Sequence, residues 1–178
     1  MTDVMLDIET YSTKTNACIM TIGAIKFKRG TELDKLEDME TFFRRITLDS
    51  NKELNRDISE DTLKWWSRQS KEARIELEID EDRIPLKQAL AEFKEWFRDS
   101  KYVWSHGDDF DTVIVNTAME DCGIDVPWRF CNTRDTRTLF DIAEVSNRYL
   151  PQNSKHNALH DCYRQLAGLF LAFKRLMS

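Results

Sequence analysis

Two carboxylates one residue apart, Asp7 and Glu9, sit inside the apolar run Val4-Met5-Leu6-Asp7-Ile8-Glu9-Thr10. Alternation along a strand sends both side chains to one face. Two like charges held side by side repel, and burying them is costly unless something positive compensates. A hard divalent cation such as Mg2+ or Mn2+ is the simplest compensation. The pair therefore predicts a metal site.

Three later residues extend the prediction. Asp111 falls in His106-Gly107-Asp108-Asp109-Phe110-Asp111, just inside a predicted helix that follows a predicted strand. His156 and Asp161 fall in Lys155-His156-Asn157-Ala158-Leu159-His160-Asp161. Five residues is about one and a half helical turns, so the two would not share a face of one continuous helix. His156 is expected on the loop before the last helix, with Ser154 and Asn157 as cap candidates. Asp161 is expected in that helix's first turns. Phosphodiester hydrolysis needs a hydroxide nucleophile and stabilised charge on the leaving oxygen, and two metal ions about 3.5–4 Å apart supply both. Asp7, Glu9, Asp111 and Asp161 suffice to hold two such ions and leave room for water and phosphate. A histidine, with an intrinsic pKa of about 6.5, suits acceptance of the water's proton at neutral pH.

These side chains need elements to position them. Residues 5–10, 19–28 and 40–46 read as three strands. The loop 11–18 and the turn Arg29-Gly30-Thr31 separate them, which predicts an antiparallel meander. Gly23 marks a bulge or a close approach in the second strand. The period then turns helical. Ser59 predicts an N-cap for a helix running to about Gln69, and a second short helix spans 70–77. Pro85 opens an amphipathic helix with Leu86, Ala89, Leu90, Phe93, Trp96 and Phe97 on one face. Residues 102–105 read as a strand. Asp108 or Asp109 is expected to cap a helix that ends at Gly123. Residues 128–131 read as a short strand, 135–144 as a helix and 157–177 as the last helix. Strands first, then helices interleaved with short strands, predict an α/β fold with a mixed central sheet and helices packed on it.

In this order and spacing, Asp7, Glu9, Asp111, His156 and Asp161 resemble the DEDDh 3′-5′ exonucleases of the RNase H-like (DnaQ-like) superfamily. That family carries Asp-x-Glu on the first strand, a later Asp on a helix and His-x-x-x-x-Asp near the C-terminus. Trp65-Trp66 with Gln69-Ser70 and Ala73-Arg74, Arg134-Asp135-Thr136-Arg137-Thr138-Leu139, and His156-Asn157-Ala158-Leu159 are similar to one subgroup. It contains phage-type exodeoxyribonucleases and a mycobacterial-type 3′-5′ exoribonuclease. The resemblance spans nearly the whole chain and implies one exonuclease domain over 1–178 with an RNase H-like fold. It implies two Mg2+ ions, with Mn2+ as substitute, on Asp7, Glu9, Asp111 and Asp161, and His156 as general base. It implies that Thr10 contacts the terminal nucleotide, that 5′-mononucleotides leave from a 3′ end, and that the protein is a homodimer. Single-stranded DNA is favoured over RNA from the phage-type likeness.

Other residues have plainer readings. Trp65 and Trp66 read first as helix-packing residues, with Trp66 kept as a candidate platform for a nucleobase. Arg134, Asp135 and Arg137 read as a structural ion pair in preference to phosphate contacts. Lys26, Lys28, Arg29, Arg44 and Arg45 read as solvated faces. His156 and His160 also match the spacing of an HD-type phosphohydrolase, but that fold is all-helical and needs an Asp beyond Asp161, which is missing. A catalytically inactive nucleic-acid-binding module is the alternative from another class, and the intact five-residue set argues against it.

Composition bounds the rest. With 41% hydrophobic and 33% charged residues, the 178-residue chain has the make-up of a globular domain. No apolar run reaches membrane length and no signal-peptide pattern opens the chain, so a cytoplasmic location with no membrane partner is expected. Cys18, Cys122, Cys131 and Cys162 form no Cys-x-x-Cys pair, which argues against a zinc ribbon. A net charge of −6 argues against coating duplex nucleic acid, but not against gripping a strand end.

Overall fold

The computed structural model describes residues 1–31, 33–107, 109–146, 150 and 156–177. β1 (Thr2–Thr10) and β2 (Ile19–Phe27) are long and almost wholly buried, as apolar strands in the middle of a sheet must be. With β3 (Thr41–Ile46) they form the expected antiparallel meander. The other strands are β4 (Arg83–Ile84), β5 (Ser100–Ser105) and β6 (Thr133–Asp135). All six make one mixed sheet in the order β4-β3-β2-β1-β5-β6, with β5 parallel to β1 and β6 parallel to β5.

Helices cover both faces. Val4, Leu6 and Ile8 of β1 pack into a core with α4 (Leu86–Phe97) and α5 (Asp111–Asp121). Met5 points the other way, into a core built with α6 (Thr136–Ile142) and α7 (Ala158–Met177). The odd-numbered residues of β1 therefore face α7, and Asp7 and Glu9 lie on that face as strand alternation requires. Ser59 caps α2 (Glu60–Ser67) and Ser70 caps α3 (Lys71–Glu78), each accepting a backbone N–H three residues on. None of the described helices is long and apolar enough to cross a membrane.

Several elements depart from the sequence reading. The strand expected over 128–131 lies at Thr133–Asp135. Trp128 is apolar because it packs against Phe93 and Phe97, not because it pairs in a sheet. Asp135 is the N-cap of α6 and not its first residue. Asp109 does not cap α5; Phe110 holds that position without a side-chain cap bond, and Asp108 lies outside the described residues. α1 (Leu48–Lys52), the two-residue β4 and the 3-10 turns at Leu33–Asp38 and Phe130–Asn132 are additions. Each is too short for a hydrophobic period to register.

Candidate active site

The sheet opens where the site forms. Pairing of β1 with β5 stops at Met5↔Trp104, and the backbone N–H of Ile8 beyond it donates to Asp111 Oδ1 at 3.1 Å. Asp111 thus reaches from the first residue of α5 across to β1. On the other side, Gly23 of β2 lies against the first turn of α7. A Cβ on Gly23 would fall 2.4 Å from the Ala158 carbonyl carbon and 2.5 Å from the Leu159 nitrogen. That contact is the close approach expected of Gly23, and it sets Asp161 over the carboxylates of β1. Asn157 caps α7 by accepting the His160 N–H at 3.1 Å. Ser154, the other cap candidate, lies outside the described residues.

His156 precedes the helix in a left-handed conformation (φ 61°), which a non-glycine residue adopts only under constraint. The constraint is visible. Its N–H donates to Asp161 Oδ2 at 3.1 Å, and its ring stands edge-on to Trp65 and Trp66, with centroids 4.8 and 5.8 Å away. Asn157 next to it donates from Nδ2 to Glu76 Oε1 at 2.9 Å, and Arg45 grips both oxygens of the same carboxylate at 2.7 and 3.1 Å. Arg45, expected on a solvated face, is 21% exposed and forms the inner half of a buried ion pair.

Asp7, Glu9, Asp111, His156 and Asp161 line one cavity of about 310 Å3. Burial followed by mutual repulsion drives the proton affinity of the acids upward. Asp7 and Glu9 lie well above the ordinary carboxylate range, Asp111 is raised to about 7, mainly by burial, and Asp161 is raised as well. Hydrogen bonds relieve this only in part: Gln165 Nε2 donates to Asp7 Oδ1 at 2.7 Å. Such a cluster is starved of positive charge, and a divalent cation fits it. Ligand atoms of Glu9, His156 and Asp161 already lie within 4.8 Å of one another.

The profile of the 3′-5′ exoribonuclease Rv2179c-like domain matches residues 2–169. The chain belongs to that family. The exodeoxyribonuclease of enterobacteria phage T4 is 21% identical over 207 residues, covering 99% of this chain and 91% of the phage protein. Two structures of Escherichia coli exonuclease I share the fold. One is a zinc-bound complex with single-stranded DNA (TM-score 0.64, 13% identity), the other a complex with a dA13 oligonucleotide (TM-score 0.61, 15% identity). Each match covers 98% of this chain, which spans only 40% of the length of those exonuclease I chains. The fold is RNase H-like, and family membership makes the protein a 3′-5′ exonuclease, a hydrolase of the DnaQ-like class.

Some expected roles shift within this exonuclease site. Trp66 is 1% exposed and donates its indole N–H to the Thr10 carbonyl at 2.9 Å, so it has no free face for a base. Trp65, at 43%, is the accessible ring of the pair. Thr10 is buried, and its hydroxyl donates to the Ser12 carbonyl at 2.6 Å. Asp135 serves structure, as expected, but by capping instead of ion pairing. It accepts the N–H groups of Gly107, Arg137 and Thr138. Burial raises its pKa, and these bonds together with the Thr138 hydroxyl outweigh that and bring it below the ordinary value. Arg137 lines the cavity, packed against Gly107, where φ is 105° and a Cβ would meet the guanidinium at 2.7 Å.

The sequence reading missed His106, Arg164 and Gln165, which line the same cavity. Arg164 and Gln165 lie three and four residues after Asp161, the helical spacing that would have revealed them. His106 is lowered to about 4, by burial first and Arg137 second, and is therefore a neutral wall at physiological pH.

Proposed function

We propose that the protein is a DEDDh-type exonuclease that removes 5′-mononucleotides from the 3′ end of single-stranded DNA. The observation that carries this is convergence: β1, α5, the loop before α7 and α7 itself deliver Asp7, Glu9, Asp111, His156 and Asp161 to one cavity. Asp7, Glu9, Asp111 and Asp161 hold two Mg2+ ions, for which Mn2+ substitutes. When bound, such ions neutralise charge on the attacking and departing oxygens. Four hard oxygen donors suit Mg2+ better than an imidazole does, which leaves His156 to accept the proton of the attacking water. The Arg137 and Arg164 guanidiniums at the cavity wall meet the scissile phosphate. Thr10 shapes the wall beside the terminal nucleotide, and Trp65 replaces Trp66 as the ring available to its base.

The choice of DNA rests on the phage exodeoxyribonuclease relative and on the DNA-bound structural neighbours. The family description names an exoribonuclease, so matched DNA and RNA oligonucleotides belong in one experiment. With 5′-labelled strands and Mg2+, we expect a ladder that shortens from the 3′ end, faster on single-stranded DNA. Asp7→Ala should abolish it. If wild type and Asp7→Ala behave alike, the assignment fails, and a faster RNA ladder reassigns the sugar. A homodimer, which sedimentation would detect, completes the proposal.

A further inference from the structure

Far from the catalytic cavity, at the N-terminal ends of β1 and β5, the surface changes sign. A hollow of about 460 Å3 is lined by Met1, Asp3, Lys28, Arg29, Lys101 and Tyr102. Three cations crowd one ring there: Arg134, Lys101 and Arg29 lie 4.2, 4.7 and 4.8 Å from the Tyr102 centroid. Asp3 is spent within the patch, accepting from Arg29 Nε and from the Trp104 indole, each at 2.8 Å. Among the described residues, no carboxylate lies within 4.0 Å of Lys28, Lys101 or Arg134. The Tyr102 phenol feels the same field: a hydrogen bond with Lys101 and the charges of Lys101, Arg134 and Arg29 pull it below its ordinary value. Arg134 also bonds the Cys131 carbonyl at 2.9 Å, which fixes beside the patch the turn that carries Phe130. Phe130 is 90% exposed. A cluster of unneutralised cations beside a bare aromatic ring is unexpected on a chain of net charge −6 unless an anion with flat apolar groups binds there.

We propose that this patch is a second, non-catalytic binding surface for single-stranded nucleic acid. Lys28, Lys101 and Arg134 take phosphates of nucleotides upstream of the 3′ end, and Phe130 stacks on a base. The identity of the ligand rests on the exonuclease assignment. His106 at the cavity and Tyr102 at the patch are four residues apart along β5, or about 13 Å at about 3.3 Å per residue. At about 3.4 Å per stacked nucleotide, a strand needs about four nucleotides to cover that span. The patch therefore serves long strands and is out of reach of a trinucleotide.

The test compares a trinucleotide and a 12-mer as substrates for wild type, Lys28→Glu/Lys101→Glu and Phe130→Ala. Binding of a 5′-fluorescent 12-mer is measured in parallel by anisotropy in EDTA, which needs no catalysis. The charge-reversal variant should raise KM for the 12-mer about tenfold and weaken its binding equally. It should lower the salt slope of log K by about 0.7 for each phosphate that the patch no longer holds. Phe130→Ala should weaken binding about fivefold or more. Trinucleotide turnover should stay within about twofold of wild type in both. Unchanged 12-mer binding, or equal losses on both substrates, overturns the proposal. So does a wild-type dimer that the variants split without loss of 12-mer affinity, since a second copy of the chain would then own the patch. If wild type cleaves nothing yet binds the 12-mer through these residues, the exonuclease assignment fails and the patch stands.

Discussion

Asp111 shows what a single buried acid costs the protein without its cation. Burial raises its pKa to about 7, above the unfolded value of about 3.9. The folded state then holds the proton more tightly than the unfolded state, so stability falls as pH rises from about 4 to about 7. The loss is about 1.4 kcal/mol for each pH unit of difference in pKa, and the other three raised acids act in the same direction. Asp111→Asn keeps an acceptor for the Ile8 N–H and removes the charge. In EDTA its melting temperature should exceed that of wild type by a margin that grows between pH 4.5 and pH 7.5, and saturating Mg2+ should reverse the order. A margin independent of pH would refute this account. His156 separates chemistry from backbone strain. Glycine adopts φ 61° without penalty, so His156→Gly should fold at least as well as wild type. It should still lose about 10²–10⁴-fold in rate, the range of a general base. A loss below about threefold in steady-state hydrolysis would remove His156 from that role.

At the level of elements, the site depends on how α7 docks. Gly23→Ala puts a methyl group into the backbone of Ala158 and Leu159, and neither is the flexible end of a side chain. The helix must move, carrying Asp161 and the His156 loop with it. We expect a destabilisation of about 1–3 kcal/mol in denaturant melts and at least a tenfold fall in kcat; a variant with wild-type kcat would show that α7 does not set the metal ligands. The Arg45–Glu76–Asn157 brace acts on the same loop from the β3 side. Removing one member of a buried ion pair costs about 3–5 kcal/mol, so Glu76→Ala should be strongly destabilised, whereas Asn157→Ala should fold and lose rate. What was legible in the sequence follows the same division. Asp7 and Glu9 could be placed on one face from strand alternation, and Ser59, Ser70 and Asn157 as caps from residue type, because these are local rules. Arg45 could not be placed, because its partner is 31 residues away and only the fold brings Glu76 to it. Trp128 suggested a strand because burial against a helix and burial in a sheet leave the same apolar residue.

For the whole molecule, the acids of the cavity make metal binding a global event. Formal charge is −6, and two dications bring it to −2. Binding to the folded state alone stabilises by mass action, about 2.7 kcal/mol at one hundred times the dissociation constant. For a chain of 178 residues, each kcal/mol moves the melting temperature by about 2–4 °C. Mg2+ or Mn2+ should therefore raise it by about 5–10 °C, and EDTA should return it to the starting value. The gain should be larger at pH 7.5 than at pH 5, because protons compete with the cation for the same raised carboxylates. Asp7→Asn/Asp161→Asn should show little shift with either metal, while its metal-free melting temperature rises as repulsion is relieved. Calorimetric scans of the two proteins with metal and with chelator decide the matter. A wild-type protein indifferent to both cations at millimolar concentration would mean that neutral hydrogen bonds, not ions, hold the four carboxylates together.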